Sequence, residues 1–247
     1  MPKGTRTALV TGSNKNIGRA CALALARQGC NVIVNGSKDR AAAEAVASEV
    51  RALGVEGRVA MGDVGKREDC LRMAKDGIKT FGAINVLVNN AAIREDGGFL
   101  ELPEEQWRRV MAINFDAAYW LARACLPGMI EKGWGRIINF AGMNAIHGYN
   151  GRAHVSASKH AAWGLTKALA KEFGAKGVTV NIVSPGPIMG EAQDAMQAAH
   201  IAPMKARVPV GRLGTPDEVA AAVALLASDA GAFINGQMIQ VNGGAET

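Results

Sequence analysis

Apolar residues follow two rhythms that take turns along the chain. Short continuous apolar runs at 8–10, 31–34, 58–61, 84–88, 136–140, 178–183 and 237–241 read as strands. Between them apolar positions recur every three or four residues, the spacing of a helix face. One such stretch carries Ala20, Cys21, Leu23, Ala24 and Leu25 and closes at Gly29, where a helix C′ residue belongs. Others cover 41–53, 68–81, one long region 103–130, and 154–173. Thr215-Pro216-Asp217-Glu218 supplies a helix cap, an N1 proline and an N3 carboxylate in order. Strands apolar on both faces, separated by helices, predict a parallel sheet covered on both sides. No repeat, linker or low-complexity stretch divides the chain. The expectation is therefore α/β: a single-domain Rossmann-type doubly wound parallel sheet over 1–247.

In such sheets ligands sit beyond the C-terminal strand ends. Those ends carry Thr11-Gly12-Ser13-Asn14-Lys15-Asn16-Ile17-Gly18, Asp63-Val64, Asn89-Asn90-Ala91-Ala92, 140–142 and Pro185-Gly186. The first is a strand, a glycine-bearing turn and a helix start, which aims backbone N–H groups and the positive end of a helix dipole at one spot and suits a phosphate. Asn16 occupies the middle-glycine place of a G-x-G-x-x-G pattern. Asparagine tolerates the left-handed region better than most residues, so the turn survives the exchange.

Composition narrows the picture further. Apolar residues make up 49% of 247, ample for a core, and no apolar run approaches the ~18 residues of a membrane span. The N-terminal residues do not form a signal peptide, and the chain reads as cytoplasmic. Cys21, Cys30, Cys70 and Cys125 show no C-x-x-C spacing and no pairing with histidine, so neither a metal site nor a disulfide framework is expected. The formal charge of +6 is spread along the chain, which argues against nucleic acid and is compatible with phosphorylated small molecules.

Taken together, these strand ends resemble the short-chain dehydrogenase/reductase superfamily over nearly the whole length. Gly12, Asn14, Lys15, Ile17 and Gly18 resemble its nucleotide turn, and Asp63-Val64 the pair that meets the adenine ring. Asn90-Ala91 belongs to its Asn-Asn-Ala segment. Asn114 and Lys159 fall on the catalytic asparagine and lysine, and Pro185-Gly186 and the 211–214 segment Gly-Arg-Leu-Gly are also family-like. The resemblance implies an NAD(P) site. An acid at the end of strand two would hold the ribose 2′-OH. Here that end reads Asn35-Gly36-Ser37-Lys38, and with Lys15 and Arg40 nearby the charge favours NADP(H).

The family's proton-donating chemistry is where the sequence departs. Its tyrosine stands four residues before the lysine, where this chain has Val155; its serine aligns with Gly142, and a nicotinamide-holding threonine with Gly190. A general acid is worth typically ~10²–10⁴ in rate, so ordinary ketone reduction by this site is expected to be crippled. Tyr149, in the loop before the helix, is the candidate substitute, with Asn144 a weaker one. His147, His154 and His160 read as surface or packing residues. Two readings stay open. The first is an active oxidoreductase on a small carbonyl or acyl-thioester substrate, with His154-Val155 and Gly190 resembling the 2,4-dienoyl-CoA reductases. The second is a catalytically silent member that binds nucleotide or ligand, or serves an active paralogue as partner subunit. The segment 187–209, with Met189, Met196 and Met204, reads as an adaptable lid, and Lys205 and Arg207 as candidate contacts to a phosphorylated carrier. The resemblance implies a homotetramer, or a heteromer with a paralogue, through the two long helices, with Trp120, Leu121, Trp163, Leu165 and Leu169, and through the stretch 233–244.

Overall fold

The computed structural model describes residues 4–143, 147–190, 203 and 205–246. Among them, seven strands form one sheet: β1 Thr7–Val10, β2 Asn31–Gly36, β3 Gly57–Met61, β4 Val86–Asn89, β5 Gly135–Phe140, β6 Val178–Pro185 and β7 Met238–Val241. Every neighbouring pair is parallel, and the order is β3-β2-β1-β4-β5-β6-β7. The order reverses between β1 and β4, so a crevice opens beyond their C-terminal ends.

The continuous apolar runs are explained by the two cores. Side chains alternate across a strand. Ala8, Val10, Val32, Val34, Val86 and Val88 pack on one face with helices α1 Asn16–Arg27, α2 Arg40–Ala52 and α7 Pro216–Ala227. Leu9, Ile33, Leu87 and Ile137 pack on the other with α3 Arg67–Phe81, α5 Ala117–Glu131 and α6 Ala153–Phe173. The four cysteines are buried free thiols. No helix among the described residues is long and apolar enough to cross a membrane.

Two expected elements differ. The run 84–88 becomes a strand only from Val86; Asn85 stands just before it, its Oδ1 accepting the Thr7 N–H at 3.1 Å. The region 103–130 is not one helix. Helix α4, Glu104–Met111, passes through a π-turn at Ala112–Asp116 before α5 begins. A π-turn inserts one residue into the helical ladder and is frequent at functional sites; here it carries Asn114. Most of the expected lid, with Met196 and Met204, lies outside the described residues, as does Asn144.

Candidate active site

The turn after β1 is built by neighbours on both sides. Gly12 has φ +60°, and Asn16 has φ +48°, the left-handed conformation expected of it. The Gly12 N–H donates to Asn35 Oδ1 at 3.0 Å, while Asn35 Nδ2 donates to the carbonyls of Ala60 and Gly62. From the other side, Asn90 Nδ2 donates to the carbonyls of Thr11 and Gly12, and Thr11 Oγ1 accepts the N–H groups of Asn90 and Ala91. Gly18 cannot be replaced without breaking this turn: a Cβ there would lie 2.2 Å from the Gly12 carbonyl and 2.7 Å from Asn90 Nδ2. Helix α1 starts without a side-chain cap at Lys15 and without an acid in its first turn, leaving its positive end uncompensated by side chains. Asn35 is a structural partner that sequence reasoning did not single out. Its meaning depends on β1 and β3, which flank it only in the sheet.

The cofactor-side residues divide by surroundings. Lys15, Ser37, Lys38 and Arg40 are exposed, Asn14 lies against Gly36, and Ile17 is half-buried on the first core. Asp39, the acid nearest the end of β2, caps α2 by accepting the Ala42 N–H at 2.9 Å, so its carboxylate is already engaged. Asp63 is held by Arg109 at 2.7 Å and by the Gly65 N–H at 2.9 Å. Burial pushes its carboxyl pKa up, but the Arg109 contact and charge, the Gly65 N–H and the charge of Lys66 together hold it below the ordinary value. Val64 is buried in the second core.

A cleft of about 290 Å³ opens where β5, β6 and the start of α6 meet. Lys159 lines it, only 2% exposed, and its Nζ donates to the Phe140 carbonyl at 2.8 Å. Burial, and then the charge of Arg94, push its pKa down to about 7. Pro185, Gly186, Val155, Gly142 and Tyr149 share the wall. Tyr149 is half-exposed, with the Arg152 guanidinium 4.8 Å from its ring centre. Val155 is buried and brings no polar side-chain atom to the cleft. Gly142 has φ +132°, a conformation L side chains rarely adopt, although nothing stands where its Cβ would go. Asn114 is buried on the π-turn, and its amide is fully occupied: Oδ1 accepts the Ile93 N–H, and Nδ2 donates to Ile93 O and to Ser158 Oγ. His154 is fully buried with neither ring nitrogen hydrogen-bonded, a packing residue; His160 is exposed, and His147 pairs with Glu246. No cluster of potential metal ligands occurs among the described residues.

A larger, more open groove of about 720 Å³ runs along α4 past Pro103, Gln106 and Arg109. It carries no buried titratable group and lies away from the ends of β5 and β6. The smaller cleft therefore has the better claim to chemistry.

A family model described as Enoyl-(Acyl carrier protein) reductase matches residues 12–246. The chain belongs to the short-chain dehydrogenase/reductase superfamily. Among its oxidoreductase relatives, the 3-oxoacyl-[acyl-carrier-protein] reductase FabG of Staphylococcus aureus is 37% identical over 242 residues, 98% of each chain. Nodulation protein G of Azospirillum brasilense is 38% identical over 239 residues, 97% of each. A solved structure assigned as an NAD(P)-dependent gluconate 5-dehydrogenase from Beutenbergia cavernae, with NADP bound at low occupancy, superposes with a TM-score of 0.90 at 36% identity, covering 99% of this chain and 98% of its own.

Proposed function

We propose that this short-chain dehydrogenase/reductase is an NADP(H)-dependent oxidoreductase with a rearranged proton-donating site, acting on a small carbonyl or acyl-thioester substrate. The observation that carries the reading is the buried Lys159 at a cleft beyond the ends of β5 and β6. Burying an amine with a single carbonyl partner costs stability. What it provides is a hydrogen-bonding group at the mouth of the crevice where a nicotinamide ribose belongs.

The residues fit the cofactor. The Cβ-free Gly18 and the uncapped start of α1 leave room and positive potential for a pyrophosphate. Lys15, Ser37 and Lys38 are exposed and suit a 2′-phosphate, while Asp39 is occupied with its helix cap. The NADP bound by the Beutenbergia cavernae relative supports the same choice. When bound, the cofactor donates or accepts hydride. Lys159 would hold the ribose hydroxyls and Pro185-Gly186 would close the nicotinamide side, while Asn114 keeps the wall at Ile93 in place. With Val155 unable to give a proton, Tyr149 is the group in the cleft wall that holds one for the substrate.

A second reading has its own support. Val155 and Gly142 leave the cleft without the family's hydroxyl pair, which suits a silent subunit that binds nucleotide or ligand beside an active paralogue. The His154-Val155 pair remains the point of likeness to the 2,4-dienoyl-CoA reductases. The deciding experiment offers 3-oxoacyl, 2-enoyl and 2,4-dienoyl thioesters and small ketones to the native protein and to Tyr149→Phe, with NADPH and with NADH. Turnover with NADPH preferred, reduced at least ~10²-fold in Tyr149→Phe, is the expected result. Intact NADPH binding with no turnover of any substrate points instead to the silent subunit.

A further inference from the structure

The cleft is lined by more positive charge than it can balance. Arg94, Arg152, Lys159 and Arg207 face it, against the single carboxylate of Glu246. Glu246 is paired with His147, and Arg152 is forked onto both carboxylate oxygens of Asp96. Arg94 and Arg207 differ from these: neither has an ion pair or a hydrogen bond among the described residues, and of the two it is Arg94 that bears on Lys159. Arg94 is exposed, yet desolvation by the protein around it, and then the charge of Arg152, push its pKa below the ordinary value. It acts in turn on Lys159.

The backbone holds Arg94 there firmly. Ile93, immediately before it, is clamped by Asn114 through both its N–H and its carbonyl. Three residues on, the Gly97 N–H donates to the Gly151 carbonyl at 2.9 Å, and Asp96 grips Arg152. The segment is thus pinned to the π-turn at one end and to the start of α6 at the other. A guanidinium on a pinned backbone, without a partner of its own, partly desolvated and close to like charge is a binding site lacking only its anion.

We propose that Arg94 is the anion-binding residue of the substrate cleft, and that the substrate is a small oxo or hydroxy compound bearing a carboxylate or phosphate within one guanidinium's reach of the reacting carbon. The inference rests on the oxidoreductase reading and narrows its substrate class. The cofactor's own phosphates are not the partner, because neither the turn at 12–18 nor Ser37 or Lys38 lines this cleft. A carrier-tethered thioester does not fit as well. Its thioester carbonyl is neutral, and its nearest phosphate lies at the far end of the pantetheine arm, whereas Arg94 is an electrostatic neighbour of Lys159.

The test is calorimetric titration of the NADP⁺-loaded protein, and of the protein alone, with a panel of oxo and hydroxy sugar acids, their methyl esters, the matching sugar phosphates and inorganic phosphate. At least one acid or sugar phosphate should bind. Its affinity should fall about ten-fold or more in Arg94→Gln and recover in part in Arg94→Lys, while the neutral ester binds weakly and equally to all three. Acids preferred over phosphates identify a carboxylate, and the reverse a phosphoryl group. Arg94 has no internal partner to lose, so both variants should keep the native melting temperature. Equal affinity for acid and ester, unchanged acid binding in Arg94→Gln, or binding of no anion at all would overturn the proposal. Arg94-dependent binding without turnover would uphold it while removing the oxidoreductase reading.

Discussion

At Lys159 burial and a neighbouring charge act in the same direction, both favouring the neutral amine. Its pKa in the fold is about 7, against 10.5 for the free side chain. Between those values the unfolded chain binds the proton more readily than the native protein does, so native stability rises with pH. The destabilisation is fully present below pH 7 and gone above pH 10.5. The melting temperature of the native protein should therefore climb from pH 7 to pH 9 relative to Lys159→Met, by about 2–4 °C for each kcal/mol. Parallel pH curves for the two proteins would mean the amine is not protonated differently in fold and coil. The neighbouring Gly142 explains why the family serine is not simply restored by substitution: at φ +132° a serine would have to reshape the turn first. At this scale the sequence was most readable where backbone conformation is local. Gly12, Asn16 and Gly18 state their turn through their own side chains or lack of them. Arg94 stayed unread because the like charges it meets, Arg152 and Lys159, are far along the chain, and a lone arginine after a strand looks like any solvated charge.

Elements announced themselves where both ends were signed. Helix α7 opens with a full capping box: the Thr215 side chain accepts the Glu218 N–H, and Glu218 accepts the Thr215 N–H at 2.8 Å. Arg212 adds two contacts to the same carboxylate, and with Thr215 it holds the Glu218 pKa down to about 2. Val219, Ala220, Val223 and Leu226 of this helix pack into the core shared with α1, so fraying at its start loosens the face beneath the nucleotide turn. Thr215→Ala should cost about 1 kcal/mol, seen as a lower urea midpoint with an unchanged slope, and Thr215→Ser should cost much less. Equal losses in the two variants would show that the hydroxyl is not what caps the helix. The π-turn between α4 and α5 had no such sign. One extra residue in a helix leaves the apolar spacing nearly intact, so 103–130 scanned as unbroken. Only the seat it makes for Asn114 against Ile93 reveals it.

The whole molecule leaves parts of its surface unfinished. The sheet was legible because runs apolar on both faces demand two covering layers, and the crevice position follows from that architecture. Burial, however, changes the accounting for the long helices. Leu121 is core, and Trp120 and Leu169 lean on the core, so the apolar surplus on α5 and α6 is smaller than the sequence suggested. What stays uncovered lies elsewhere. Phe233 is fully exposed, Leu225 and Tyr119 are nearly half exposed, and β7 is the last strand of the sheet, with nothing paired to its outer edge among the described residues. Open edges and bare aromatics invite another chain. The stretch 233–244 and the α5–α6 face give two separate patches, and two different two-fold contacts generate a tetramer. The expected mass in light scattering at micromolar concentration is that of four chains, or of a mixed assembly if a paralogue is supplied. Phe233→Glu should remove one contact and leave a folded dimer, with the melting temperature lowered only by the stabilisation that the lost interface supplied, since that side chain packs against nothing in the isolated chain. A native protein that runs as a monomer would sink the assembly outright. A tetramer indifferent to Phe233→Glu would move its second interface away from the edge of the sheet.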